Sequence, residues 1–128
     1  MRALLDTHAL LWWLVDDERL SKNARALIAN EDNEILTSAA SAWEISTKHR
    51  LGKLPQAAQI ARSLPSLLRK ARIEALAIGL EHALKAGELP GPHKDPFDRM
   101  LIAQAKIEKL PVISADPVFG AYGVRVLW

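Results

Sequence analysis

The chain has 128 residues, 49% of them hydrophobic and 25% charged, the size of one ordinary domain able to bury its own core. It holds no cysteine, which excludes a disulfide framework, a thiolate metal site and a cysteine nucleophile; a reducing cytoplasm is the expected setting, and chemistry falls to carboxylates and histidines. The net charge of +2 and pI near 9.1 permit a nucleic-acid partner without demanding one.

The opening run MRALLDTHALLWWLV is apolar enough to suggest a signal peptide, but Asp6 and His8 interrupt it and no small-residue cleavage site follows. No apolar run approaches the ~20 residues of a membrane span. A strand over Arg2–Leu5 followed by a helix from about Thr7 is the expected first unit. Ser21 is a plausible cap for a helix through SKNARALIANE, and EILTS, Glu34 to Ser38, reads as a second strand between polar turns. Ser41 then opens SAWEISTKHRLGK in a capping-box pattern, with Glu44 at the third position and Gly52 at the stop. Residues 56–72 predict a basic amphipathic helix, bent or divided at Pro65.

Ile73–Gly79 reads as a third strand, Glu81–Leu89 as a short helix, and LPGPHK as a loop. Asp95 caps a helix that has Pro96 at its first position and ends near Lys109. Leu110–Ala115 is the best strand pattern in the chain, and the remainder predicts one helical turn and a last strand over Val124–Leu127. Strands separated by helices imply crossover connections, hence an α/β domain of three layers, α/β/α, around a mostly parallel sheet. One domain over residues 1–128 is expected, with no repeat or linker.

In an open parallel sheet the functional crevice lies beyond the carboxyl ends of the strands. Four acids are expected at that edge: Asp6 after the first strand, Glu44 and Asp98 in first turns of helices, and Asp116 after LPVISA. Each taken alone is as readily a helix cap or a capping-box member. Four converging carboxylates would repel one another unless a divalent cation compensated them, and oxygen ligands suit Mg²⁺ or Mn²⁺ and phosphoryl-transfer hydrolysis.

The segments LLDTHALLWWL, SAWEISTKHRLGKL, HKDPFDRMLIAQA and VISADPVF, in that order, resemble the PIN-domain family, and most closely its VapC-like toxin branch. The resemblance implies a sheet of about five parallel strands and a ribonuclease dependent on Mg²⁺ or Mn²⁺, leaving a 5′-phosphate and a 3′-hydroxyl. It implies that Asp6, Glu44, Asp98 and Asp116 form the catalytic and metal-binding set, with Asp6 and Asp98 the most direct ligands. Asp98 rather than Asp95 meets the family's D-x-x-x-x-A-x-A register, through Ala103 and Ala105. Ser114 stands where many members have threonine; it, Thr7 and Asp95 are supporting candidates around the acids. The resemblance further implies an RNA substrate, a small cognate antitoxin protein and a homodimer.

Lys48, Lys94 and Arg99 are candidate phosphate contacts, and the neighbouring His49, Arg50 and Lys53 share the basic character. Trp43 and Trp128 are expected in the core, while adjacent Trp12 and Trp13 point about 100° apart on a helix and are harder to bury together. The four histidines show no metal-ligand spacing; His93, near the site, is expected to be exposed. A D-x-D phosphatase is excluded by Asp6-Thr7-His8, and a receiver domain by the lack of paired acids after the first strand. The competing reading is a PIN-like module that binds RNA or protein without cleaving.

Overall fold

The computed structural model describes residues 1–54 and 57–128. Its elements run β1 (Arg2–Leu5), α1 (Thr7–Leu14), α2 (Lys22–Ala29), β2 (Glu34–Ser38), α3 (Ala39–Arg50) and α4 (Ala57–Ala71). They continue as β3 (Ile73–Leu76), α5 (Leu80–Glu88), α6 (Pro96–Glu108), β4 (Val112–Ile113), α7 (Val118–Ala121) and β5 (Val126–Leu127). The strands form one sheet in the order β3-β2-β1-β4-β5, and every pairing is parallel.

Alternation along the strands divides the core in two. Ala3, Leu5, Ile35, Ile73 and Ile113 point to one face, where α1 to α4 supply Leu10, Ile28, Ile45 and Leu64. Leu4, Leu36 and Val112 point to the other, packed by Ala86 of α5, Leu101 and Ile102 of α6, and Phe119 of α7. Because successive strand residues face opposite sides, consecutive buried apolar residues such as ALL in β1 and IL in β2 are what a doubly covered sheet requires. The expected three-layer α/β/α architecture is therefore present. After β1 the chain moves to β2 on one side, and after β3 it crosses back to place β4 on β1's other side. This reversal opens a crevice at the carboxyl ends of β1 and β4.

Several local expectations are corrected. The cap of α3 is Ser38, whose Oγ accepts from the Ala40 amide at 2.9 Å; Ser41 lies inside the helix, fully buried. The helix thus starts about one turn early, and Glu44 sits in its second turn while keeping the face expected of it. Pro65 does not divide α4, which runs as one helix through it; the expected start at Gln56 lies outside the described residues. LPVISA yields only the two-residue β4, flanked by backbone bonds from Leu4 to Pro111 and from Ser114 to Leu127 that lengthen its pairing. The third strand stops at Leu76 and the last begins at Val126.

Candidate active site at the carboxyl edge of the sheet

Asp6 leaves β1 and caps α1: its Oδ1 accepts the Ala9 amide at 2.7 Å, and its Oδ2 accepts the Ser114 hydroxyl. The residue is only 6% exposed. Burial pushes its carboxyl above the ordinary range, against the lowering effect of those hydrogen bonds and of His8; the charge of Asp98 adds to the rise. Ser114, itself fully buried after β4, also accepts the Asp116 amide at 2.9 Å. One hydroxyl thereby joins the two acids that end neighbouring strands. The Asp116 side chain is exposed, its Oδ1 taking the Val118 amide at 2.9 Å, and it shares a cleft with Asp6.

Asp98 stands in the first turn of α6, capped by Asp95, whose Oδ1 accepts the Phe97 and Asp98 amides at 2.9 and 3.0 Å. Partial burial raises the Asp98 carboxyl; the hydrogen bond from His93 opposes that, and the charges of Asp95 and Glu44 push it higher. Glu44 is 3% exposed and paired with Lys48 one turn along α3. The acids thus feel one another in sequence: Glu44 acts on Asp98, and Asp98 on Asp6.

Hydroxyls and an amide hold the three acid-bearing segments together. Thr7, expected to support Asp6, turns its hydroxyl to Ser41 at 2.9 Å and so ties the start of α1 to α3. Ser38, the cap of α3, bonds Gln104 Oε1 on α6 at 2.5 Å, and Gln104 Nε2 donates to the Ala77 carbonyl at 3.2 Å. Both residues are almost wholly buried.

Of the three candidate phosphate contacts, Lys94 is exposed, and Lys48 pairs with Glu44. Arg99 spends its donors on backbone: Nε on the Ala86 carbonyl and Nη1 on the His93 carbonyl, each at 3.0 Å, and Nη2 on that of Leu89. It anchors the loop ahead of α6. His93 is half-buried, its Nε2 2.9 Å from Asp98 Oδ2, a correction to the expected exposed loop histidine. The only sequence signal was its place just before the Asp95-Pro96 cap. Trp43 is likewise not in the core: it is 59% exposed and meets Phe97 edge-on at 4.9 Å. Trp12 and Trp13 both pack against the core with partial exposure, and Trp12 meets Trp128 edge-on.

The family model of the PIN domain matches residues 3–124. This chain belongs to the PIN-domain family. The PIN chain is also 41% identical over 58 residues to Ribonuclease VapC16 of Mycobacterium tuberculosis, a stretch covering 45% of this chain and 41% of that relative. It therefore spans less than half the length of that curated relative. Among solved structures it is similar to VapBC2 from Rickettsia felis bound to a promoter DNA fragment, with TM-score 0.72 and 18% identity over 99% of this chain and 98% of that one. It is similar too to Mycobacterium tuberculosis VapC20, described as a sarcin-ricin loop cleaving toxin, with TM-score 0.69 and 15% identity over 95% of each chain.

The candidate donors are all carboxylate oxygens, and those of Asp6 and Asp98 are raised above the ordinary pKa by burial and by like charge, which a hard divalent cation would relieve. Among the described residues no three His, Asp or Glu side chains already enclose an ion position. Lys48 and Ser114 meanwhile hold Glu44 and Asp6. The fit is one of donor chemistry. No helix of the described residues is long and apolar enough to cross a membrane.

Proposed function

We propose that this PIN domain is a divalent-metal-dependent endoribonuclease, acting in the cytoplasm as the toxin of a toxin–antitoxin pair. The observation that carries the reading is the chain of mutually felt carboxylates at the switch point, Glu44 on Asp98 and Asp98 on Asp6, with Asp116 in the same cleft as Asp6. Three acids with overlapping fields and a fourth in the same cleft, two of the four nearly buried, make sense where a cation is to be bound. Family membership and the likeness to a curated ribonuclease support the substrate class.

Asp6 and Asp98 would hold Mg²⁺ or Mn²⁺ most directly, with Glu44 and Asp116 alongside. When bound, such an ion lowers the pKa of a coordinated water and neutralises charge on the attacked phosphate. The protein's own groups do the positioning. Ser114 fixes the Asp6 carboxylate by donating to Oδ2, Asp95 fixes the turn that aims Asp98, and His93 Nε2 holds Asp98 Oδ2 in place. Lys48 compensates the buried Glu44 charge and, one turn along α3, would stand beside RNA bound over the acids. Lys94 offers a second phosphate contact, on a loop that Arg99 braces from beneath. A 5′-phosphate and a 3′-hydroxyl are the expected products, and a small antitoxin protein and a second copy of the chain the expected partners.

The test compares wild type with Asp6→Ala and Asp98→Ala on structured RNAs in Mg²⁺, Mn²⁺ or EDTA. Cleavage should require metal and both acids; cleavage in EDTA, or full activity of either variant, sinks the mechanism. Growth arrest on expression, relieved by the small protein encoded beside it, is the expected sign of a toxin.

A further inference from the structure

The cleft that holds Asp6 and Asp116, about 330 Å³, is lined on its other side by His8, Trp12 and Arg19, none of which the proposed hydrolysis uses. The same three residues line a neighbouring pocket of about 300 Å³, whose floor is Leu11, Leu54 and Ile60. The acids thus open directly onto an aromatic, partly apolar recess.

Arg19 is built into that recess. Its Nε and Nη2 donate to the two oxygens of Asp17, at 3.1 and 2.8 Å, and the Asp17 carboxylate also accepts the Arg19 amide at 2.9 Å. The guanidinium carbon lies 5.0 Å from the centre of the Trp12 ring. Trp12 is fixed in turn by Trp128 edge-on and by the exposed His8 imidazole, each at 5.8 Å between ring centres. Among the described residues, Nη1 of Arg19 has no partner. Since Asp17 already neutralises the guanidinium, the recess has little net charge to offer a phosphate. It offers ring surface and the N–H groups of Nη1, which suit the flat face and acceptor-bearing edge of a nucleobase.

The geometry points to a nucleobase subsite: the base of the nucleotide next to the scissile phosphate lodges against His8 and Trp12 and accepts a hydrogen bond from Arg19 Nη1. The subsite rests on the proposed nuclease reading, since it is the acids beside it that place the scissile phosphate.

Binding to metal-free protein in EDTA separates recognition from cleavage. The probes are a labelled single-stranded RNA of about ten nucleotides and a series in which one abasic nucleotide is walked along it, a length matched to one binding groove. Wild type should lose about tenfold in affinity at one position of the series, the usual worth of one stacked base. Arg19→Gln, which gives up only a largely exposed ion pair with Asp17, should stay folded with a Tm lowered by no more than a few degrees, bind the intact RNA several-fold more weakly, and lose most of that positional penalty. Its salt dependence should be unchanged, because no phosphate contact has been removed. His8→Ala should shrink the same penalty.

A flat abasic series in wild type, an equal penalty in Arg19→Gln, or no RNA binding at all overturns the subsite. So does a reduced salt slope, which would make Arg19 a phosphate contact. Should Arg19→Gln spare RNA binding but abolish binding of the co-expressed small protein, the recess belongs to a protein partner and the subsite is wrong. Metal-dependent cleavage indifferent to the abasic position rejects the subsite alone. A position-specific penalty without cleavage in any metal rejects the nuclease reading alone.

Discussion

The neighbouring carboxylates Asp95 and Asp98 show how a single residue's environment decides its task. Asp95 accepts two amides of the first turn, whereas Asp98, one turn on, has a carboxyl held above its ordinary range by burial and by Asp95 and Glu44. A raised carboxyl pKa means that its charge costs the metal-free fold free energy. Asp98→Asn should therefore abolish metal-dependent cleavage while stabilising the protein in EDTA, by roughly 1 kcal/mol or a Tm gain of roughly 3–5 °C. Calorimetry in EDTA and in Mn²⁺ checks both halves: wild type should gain from the metal, the variant should not. A lower Tm for the variant in EDTA would mean that the His93 bond outweighs the repulsion. Residue-level roles of this kind were only half legible in the sequence. The D-x-x-x-x-A-x-A register singled out Asp98, but His93 carries no spacing signal, and it acts because the cap folds its loop back onto the carboxylate.

Helix starts were legible wherever one capping residue stood before a periodic run, as at Ser21 and Asp95, whose side chains accept the expected amides. They were ambiguous where two did. Ser38 and Ser41 both precede good helix, and tertiary structure chose Ser38 because Ser41 is wanted in the interior as the acceptor for Thr7. Asp95→Ala should cost about 1 kcal/mol of unfolding free energy, the usual worth of an N-cap, and leave most of the cleavage activity; urea denaturation beside an RNase assay checks the split. Gln104 carries more. Gln104→Leu would strand the buried hydroxyl of Ser38 and remove the part-buried bond to the carbonyl of Ala77, costing about 1–3 kcal/mol. It should also loosen α3 against α6, and hence Glu44 against Asp98, so that Mn²⁺ affinity measured by titration calorimetry falls along with stability. Loss of stability with unchanged metal affinity would make the bridge purely architectural.

At the scale of the molecule, the α/β/α order was readable because doubly covered strands leave uninterrupted apolar runs between amphipathic helices. Repulsion among converging acids was expected too, but which acid acts on which was not readable, because fields depend on burial, and Trp43 shows that burial is not given by residue type alone. Burial of the acids, with their coupling added to it, shapes how the fold responds to pH. Asp6 and Asp98 have carboxyls raised above the ordinary aspartate value of 3.8, so the folded state holds their protons more tightly than the unfolded chain does. Their contribution to stability is complete below that value and is lost as pH rises through the raised folded values. Asp17 runs the other way: hydrogen bonds from Arg19 lower it to about 2, so its contribution is present above 3.8 and disappears only as pH falls toward 2. The two windows do not overlap. As pH rises from about 4 through the raised folded values these acids work against stability, and metal-free protein should become less stable over that range, contrary to the usual behaviour of paired carboxylates. Saturating Mg²⁺ binds the ionised acids and should flatten or reverse that slope, adding about 2.7 kcal/mol at a hundredfold excess over Kd. Thermal melts across this range, in EDTA and in Mg²⁺, check the prediction. Parallel curves would show that the acids are not sensed by a common ion, whereas curves that diverge as pH rises would tie the stability of the fold to the charge its site is built to hold.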